Sequence, residues 1–329
     1  MTGDPGIPLL PDKAADLLRS ISTGAVLGAS RQLNVLGDAL VDVATVRTDD
    51  ATALRADVTA LVDHVTQTRG ASSQAVVNGL EQMARPVLTR RGRGVADHEL
   101  AESLSESVRA FRRDLVCSLA SVRRHGLELL RTHRSILAYD YSSTVAQVVA
   151  DVSRDDVSRD GGRLTVFVPE ARSLDGGRKY LSDWDDLRLQ VRLIPDAAMG
   201  WALGQCDAVV VGAETLSAEG GCYNTIGTAV VAHEARRADI PFYVLSILLK
   251  TDLRDPGGSR PSPSLDFLAR LRASTPAGAA LTVQGAFPDL DYTDPADITA
   301  VVTEGGAIRP EQVRDLAGAA FRQQEPRDG

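Results

Sequence analysis

The chain has 329 residues, of which 43% are hydrophobic and 24% charged, and its net charge is −8. This length and composition predict a soluble globular protein with room for two domains and a sizeable core. The acidic balance argues against a nucleic-acid binder, because neutralising phosphates requires clustered positive charge.

Metal, redox and membrane signals are weak. Cys117, Cys206 and Cys222 lie far apart and the five histidines do not cluster, so we predict no metal site. A low, odd cysteine count without a signal peptide is typical of the reducing cytoplasm. No apolar run approaches the roughly 20 residues that cross a bilayer, so we expect no membrane association.

The first 134 residues have the hydrophobic spacing of helices. Residues 54–69 and 98–133 place apolar side chains at intervals of three and four residues, which predicts amphipathic helices. Between them, residues 84–99 contain a proline, glycines and a basic cluster at Arg90–Arg93. This segment is interpreted as a solvated loop, with contact to an anionic partner as the alternative. We predict a helical N-terminal domain over residues 1–134.

The hydrophobic pattern changes in the second half, residues 135–329. Short β-branched runs alternate with helix-like segments, which predicts a Rossmann-like α/β domain with a parallel sheet and right-handed crossovers. The runs are residues 164–170, 191–196, 207–214 and 241–247. Ligands bind beyond the carboxyl ends of the strands in such sheets, so we expect a ligand cleft there, between the two domains. Those ends carry charged side chains: Glu170, Arg172, Asp196, Glu214 and Lys250.

The tail is less regular. Residues 255–264 are rich in proline and serine and predict a loop. A short helix over residues 265–273 follows, then a strand and a turn.

Glu214 ends a strand that the pattern predicts to be buried. A buried carboxylate has to be paired or protonated, because leaving the ion unpaired is costly. Glu214 therefore either accepts hydrogen bonds from loop amides or faces a ligand. Asn224 and the turn at Gly220-Gly221 follow at loop distance and favour a ligand.

Two aspartates have structural alternatives. Asp140 precedes an apolar helix and could cap its N-terminus, as could Ser142 or Ser143, and Asp196 could cap a helix starting at Ala197. If Asp140 and Glu214 face one cavity, like-charge repulsion raises the pKa of one of them. The pair then provides an acid and a base at neutral pH, as proton transfer between adjacent sugar carbons requires.

The order of motifs resembles the initiation factor 2B alpha/beta/delta family. The matching segments are EARSLDGG, LIPDAAMGWAL, DAVVVGAE, EGGCYNTIGT and IPFYV. In the first half, ISTGA at residues 21–25 is similar to the family's Arg-Gly-Ala loop, and TRGASSQAVVN at residues 68–78 to its T-R-P-T segment. The family also contains two sugar-phosphate isomerases, methylthioribose-1-phosphate isomerase and ribose-1,5-bisphosphate isomerase.

The resemblance implies a site with several replacements. The catalytic cysteine of the isomerases falls on Asp140 and their aspartate on Glu214. Their N-K pair becomes Asn224-Thr225, and the arginine of the first loop becomes Thr23. The alpha subunit of the initiation factor also has G-A-E here, and it is regarded as a sugar-phosphate binder that does not convert its ligand.

We therefore predict an aldose–ketose isomerase that acts on a phosphorylated pentose or a related sugar, with no metal or organic cofactor. Asp140 and Glu214 are the predicted proton-transfer pair. Arg69, Arg172 and Lys250 are predicted phosphate ligands, unless they form surface ion pairs, and the amides opening the helix after Gly227 are predicted to assist them. The full set of predicted substrate-binding residues is Gly24, Ala25, Arg69, Ser142, Arg172, Asp196, Asn224 and Lys250.

The alternative is a protein of another class. The replaced cysteine, lysine and arginine favour a non-catalytic subunit that binds a sugar phosphate or nucleotide and serves regulation or assembly, like the initiation factor's alpha chain. The family resemblance also implies a homodimer or a higher homo-oligomer that assembles through the C-terminal domain.

Overall fold

A computed structural model describes residues 8–22, 25–26, 28–70, 73–89, 96–155, 163–258, 264–266 and 285–323. A helical region is followed by a domain built on a mainly parallel sheet, which confirms the predicted α/β fold class. The chain divides into two compact units between Cys117 and Ser118, inside one long helix. The boundary at residues 134 and 135 stays a prediction.

Five helices build the first part of the chain. They are α1 (Asp12–Ser22), α2 (Ala29–Val46), α3 (Ala51–Arg69), α4 (Gln74–Thr89) and α5 (Asp97–Leu130). The two segments predicted from hydrophobic spacing coincide with α3 and α5. On α3 the side chains of Leu54, Val58, Leu61 and Val65 are fully buried, as a stripe with helical period requires.

One predicted loop is partly wrong. Residues 84–89 continue α4 through Pro86, although proline removes a backbone donor from a helix interior. Met83, Ala84 and Val87 are buried on either side of the proline, so packing of the apolar face holds the helix together. The basic cluster at residues 90–93 lies outside the described residues.

The elements of the second part follow in chain order. They are β1 (Ser135–Ala138), α6 (Ser143–Arg154), β2 (Leu164–Pro169), α7 (Lys179–Asp183), β3 (Leu189–Ile194), α8 (Met199–Leu203), β4 (Ala208–Val211), β5 (Thr215–Ser217), β6 (Cys222–Thr225), α9 (Thr228–Arg237), β7 (Phe242–Leu245), β8 (Thr251–Asp252), β9 (Ser264–Asp266), β10 (Ala286–Pro288), β11 (Leu290–Thr293), β12 (Ala300–Thr303), β13 (Gly306–Ile308) and α10 (Val313–Gln323). Short 3₁₀ helices occupy Gly176–Arg178, Asp196–Ala198 and Leu248–Lys250.

The main sheet has seven strands in the order β13-β12-β7-β4-β1-β2-β3. All neighbours are parallel except β12 and β13, and the four predicted runs form β2, β3, β4 and β7. Every residue of β4 is buried, which is why that strand is a continuous apolar run.

Smaller sheets border the main one. Strands β11, β6, β5 and β8 form a four-stranded sheet, and β9 pairs with β10. The helix predicted at residues 265–273 is wrong at its start, because Leu265 and Asp266 belong to β9. Its remaining residues lie outside the described ones. None of the helices in the described ranges is long and apolar enough to cross a membrane.

Candidate functional site

The order of the strands creates a crevice at one edge of the sheet. From β1 the chain proceeds to β2 and β3 on one side, then returns to place β4 on the other side of β1. Ligands bind at such a topological switch point, beyond the carboxyl ends of the strands. Asp140 follows β1 and Glu214 follows β4, so two carboxylates lie at this point.

Asp140 and Glu214 act on one another electrostatically. Burial raises the pKa of Asp140 above its ordinary value, and the negative charge of Glu214 raises it further. Hydrogen bonds from Thr225 and from the Tyr141 amide lower that pKa, as does the charge of Lys179. The net effect raises the pKa of Asp140, so its proton is held more tightly than that of a free aspartate. That the two carboxylates face one cavity stays a prediction.

Both oxygens of Asp140 are in close contact with protein. The hydroxyl of Thr225, the last residue of β6, donates a hydrogen bond to Oδ2 at 2.5 Å. Oδ1 lies against Gly176, where an added Cβ would stand 1.7 Å from it. The second glycine, Gly177, has the same need for space, because its Cβ would meet the carbonyl oxygen of Pro169 at 2.1 Å.

The carboxylate of Glu214 is left available. Its backbone N–H donates to the carbonyl of Tyr223 at 2.9 Å and closes the β5–β6 hairpin. No amide among the described residues donates to the side chain. The alternative in which Glu214 accepts hydrogen bonds from loop amides therefore has no support among these residues. That Glu214 faces a ligand stays a prediction.

Two of the three lysines in the chain lie at this site. Lys250 donates from Nζ to the carbonyl of Ala213 at 2.5 Å, directly before Glu214. The exposed Lys179 lies over the ring of Tyr141, 5.5 Å from its centroid, and acts on Asp140. These ammonium groups provide positive charge beside the carboxylate pair.

Backbone strain is concentrated here. Four non-glycine residues in the described ranges have positive φ, and three of them are Asp140 at 53°, Ala171 at 48° and Asp175 at 53°. Left-handed backbone conformations are unfavourable for residues with a Cβ and tend to cluster at functional sites. Aspartate tolerates them better than most residues, which suits Asp140 and Asp175.

Asp196 and Arg172 contribute to the loop after β2. The carboxylate of Asp196 accepts hydrogen bonds from the amides of Ala171 at 2.9 Å and Arg172 at 2.8 Å. Capping of a helix at Ala197 is therefore wrong, because the 3₁₀ helix begins at Asp196 and lacks a side-chain cap. The half-exposed guanidinium of Arg172 lies 3.7 Å from Glu170, and its phosphate role stays a prediction.

The predicted anion site at the start of α9 is wrong. The amides of Gly227 and Ala229 donate to the carboxylate of Asp291, at 2.7 Å and 3.2 Å. Burial raises the pKa of Asp291 to about 6, and these two hydrogen bonds limit the rise. The positive end of the helix is thus already satisfied by a carboxylate from β11.

Two predicted ligands have structural partners. Ser142 caps α6 by accepting a hydrogen bond from Val145 N at 3.4 Å, and its own amide donates to the hydroxyl of Tyr180. Asn224 is buried and donates to the hydroxyl of Thr228 at 3.1 Å. Any contact of Ser142 or Asn224 with a substrate stays a prediction.

The remaining predicted residues belong to the first unit. Arg69 is the last residue of α3, and Ala25 is exposed after α1. Gly24 lies outside the described residues. The roles of all three stay predictions.

The described residues border a cavity and an open groove. The cavity, of about 280 Å³, lies at the carboxyl ends of β1 to β3 and is bordered by Tyr139, Arg172, Met199, Val230 and Phe287, among others. The open groove, of about 490 Å³, lies along α4 and α5 in the first unit. In the ranges that the structure describes, no three histidine, cysteine, aspartate or glutamate side chains are placed to hold a metal ion.

Sequence reasoning missed three residues of this region and named a fourth, Thr225, only as the replacement of the family's lysine. Thr225 and Asp291 carry no local signal, because their partners are 85 and about 60 residues away. Lys179 is conspicuous only as one of three lysines. Glu304, in the β12–β13 turn, accepts from Leu248 N at 2.9 Å and so fixes the 3₁₀ helix that carries Lys250.

Comparisons with known proteins all point to one family. The model of the initiation factor 2 subunit family matches residues 26–310. The chain is 27% identical over 208 residues to translation initiation factor eIF2B subunit alpha of Caenorhabditis elegans, covering 63% of this chain. It is 32% identical over 235 residues to methylthioribose-1-phosphate isomerase of Magnetococcus marinus, covering 65% of this chain. Each match spans 65% of the relative's length.

Solved structures share the fold. Translation initiation factor eIF-2B of Pyrococcus horikoshii superposes with a TM-score of 0.74 at 20% identity, over 92% of this chain and 99% of that one. The tetrameric eIF2B-beta2-delta2 complex of Chaetomium thermophilum has a chain with a TM-score of 0.64 at 16% identity, over 94% of each chain.

Proposed function

Because the chain belongs to the initiation factor 2 subunit family, we propose that it is an aldose–ketose isomerase acting on a phosphorylated pentose or a related sugar. The similarity to methylthioribose-1-phosphate isomerases supports the reaction class. The observation that carries the proposal is the electrostatic coupling of Asp140 with Glu214 at the switch point of the sheet. Two coupled carboxylates supply an acid and a base to one reaction.

The roles follow from the environment of each group. The raised pKa of Asp140 favours its protonated form, so Asp140 is the acid and Glu214 the base. With a sugar 1-phosphate, Asp140 donates its proton to the ring oxygen as the bond from that oxygen to C1 breaks. Glu214 removes the proton from C2, which leaves an enol phosphate between C1 and C2.

The second half of the reaction restores both groups. Glu214 returns its proton to C1, and Asp140 takes the proton of the C2 hydroxyl as the carbonyl forms there. Arg69, Arg172 and Lys250 hold the phosphate, while Asp196 and Asn224 hold sugar hydroxyls. Gly24, Ala25 and Ser142 complete the proposed contacts. The substrate is the proposed partner, in a homodimer or a higher homo-oligomer.

The test is isomerisation in D2O. The protein is incubated with a panel of sugar 1-phosphates and the products are followed by NMR. We expect ketose signals from the wild type and a loss of roughly 10²- to 10⁴-fold in kcat for Asp140→Asn and for Glu214→Gln. Activity that survives both substitutions would remove the carboxylate pair from the mechanism.

A second candidate is a non-catalytic subunit that binds a sugar phosphate or nucleotide. Similarity to an eIF2B alpha subunit favours it. So does the hydrogen bond of Thr225 to Asp140, because it satisfies one oxygen of the proposed acid within the protein itself. Saturable binding of a sugar phosphate with no conversion in the same NMR experiment would select this function.

A further inference from the structure

The contact between Thr225 and Asp140 joins two distant parts of the chain. Thr225 ends β6 in the four-stranded sheet, whereas Asp140 follows β1 in the main sheet, and the residues are 85 positions apart. The donor–acceptor distance of 2.5 Å is that of a strong hydrogen bond between a hydroxyl and a carboxylate. Thr225 is itself buried, with 3% of its surface exposed, so little water competes for its hydroxyl.

The carboxyl group has a single well-defined orientation. Its Oδ2 accepts from Thr225 and its Oδ1 lies against Gly176, so rotation of the group breaks the first contact or meets the backbone of the second. The φ of 53° at Asp140 directs the side chain from an uncommon backbone conformation. Conformations of this kind persist only when surrounding contacts hold them.

We propose that Thr225 is a positioning residue, which fixes the carboxyl group of Asp140 so that Oδ1 carries the exchangeable proton. This inference rests on the proposed isomerase function. Since the hydroxyl of Thr225 donates to Oδ2, that oxygen is occupied as an acceptor, and a carboxylic acid has one O–H to donate. Oδ1 occupies the space that a Cβ at Gly176 would fill, so the glycine allows the carboxyl group to take this orientation.

Thr225 also sets the acidity of Asp140. A hydrogen bond to the ionised form lowers the pKa of a carboxyl group, and Thr225 is the largest of the influences that lower the pKa of Asp140. The charged groups that act on the same carboxyl are Glu214, which raises the pKa, and Lys179, which lowers it. Removing the hydroxyl therefore moves the titration of Asp140 to higher pH, together with the alkaline limb of the kcat profile.

The experiment compares Thr225→Val with Thr225→Ser in the full chain. The carboxyl of Asp140 is titrated by ¹³C NMR, with its signal assigned from Asp140→Asn, and kcat and KM are measured across pH. For Thr225→Val we expect a higher titration midpoint, a kcat lowered about tenfold at neutral pH and a KM within about twofold of wild type. Thr225→Ser keeps the hydroxyl, so we expect wild-type values of the titration midpoint, kcat and KM.

A matched control is Thr165→Val. Thr165 donates to Gln190 at 3.3 Å on β2, at the end of the strand opposite to the site, and its loss should change neither measurement. Should Thr225→Val not fold, Thr225→Ala removes the hydroxyl without adding a methyl group. A folded variant without the hydroxyl whose Asp140 titrates as in wild type overturns the inference. Because the titration needs no turnover, it decides the role of Thr225 even if the wild type converts no sugar phosphate.

Discussion

At the scale of single residues, the close packing around the Asp140 carboxyl group restricts which residues can stand next to it. Gly176 does not have a positive φ, so its backbone suits other residues, but its Cβ would stand 1.7 Å from Oδ1 and 2.9 Å from Cγ of Asp140. Any side chain at this position has to displace the proposed acid. The glycine is therefore explained by the adjacent carboxyl group, and no turn geometry is needed to explain it.

We expect Gly176→Ala to lower kcat by roughly 10- to 100-fold, because a displacement of about 1 Å in a catalytic group costs up to about 10²-fold. Turnover of a sugar phosphate and the ¹³C shift of the Asp140 carboxyl measure the effect. The matched control is Gly200→Ala in α8, where no heavy atom lies within 4 Å of the added Cβ. That variant should keep full activity and gain up to about 1 kcal/mol of stability. Equal activity of the two variants would contradict the packing argument.

At the scale of elements, α9 depends on a carboxylate from another part of the chain. Asp291 on β11 accepts hydrogen bonds from two amides at the start of the helix. Its pKa is raised to about 6 by burial, so the folded protein binds this proton more tightly than the unfolded chain does. The stabilising effect of that proton is complete below about pH 4 and is lost as the pH rises through 6.

We expect Asp291→Asn to weaken this pH dependence. In the wild type, a carboxyl pKa of about 6 in the folded protein and about 4 in the unfolded chain corresponds to about 2 kcal/mol of unfolding free energy lost between pH 4 and 7. Asparagine still accepts a hydrogen bond from an amide but does not ionise, so the variant should lose less stability over that interval. Urea unfolding at several pH values measures the difference. Asp239→Asn, at an exposed aspartate with a φ of 58°, is the control and should follow the wild-type curve. Parallel curves for wild type and Asp291→Asn would exclude the mechanism.

The sequence predicts the strands of the main sheet better than it predicts the contacts made by the second sheet. Strands β2, β4 and β7 could be predicted because burial on both faces requires continuous apolar runs. The edge strand β3 is less buried. The charged residues that follow these strands lie at one edge of the sheet because parallel strands share it. The partnership of Asp140 with Thr225, and that of Asp291 with α9, depend on where the second sheet lies. The hydrophobic periodicity of the sequence does not show where the second sheet lies. The sequence therefore could not predict that a carboxylate of the protein itself occupies the helix end where we expected an anion site.

At the scale of the whole molecule, the second unit has an apolar surface that a monomer would expose to water. Trp201 on α8 is 60% exposed and Val230 on α9 is 57% exposed. The two helices pack together, and Met199 of α8 borders the same cavity as Val230. Exposed apolar surface of this kind marks sites of protein association, which agrees with the homo-oligomer that we propose.

We expect the wild type to be a dimer or a larger homo-oligomer in light scattering, and Val230→Glu to shift it toward monomer, because burying an unpaired carboxylate at an interface is costly. The control is Leu316→Glu on α10, another exposed apolar side chain of the same unit, at 39% exposure. Circular dichroism separates dissociation from unfolding in both variants. A monomeric wild type, or a Val230→Glu variant with the wild-type mass, would show that this surface does not join two copies.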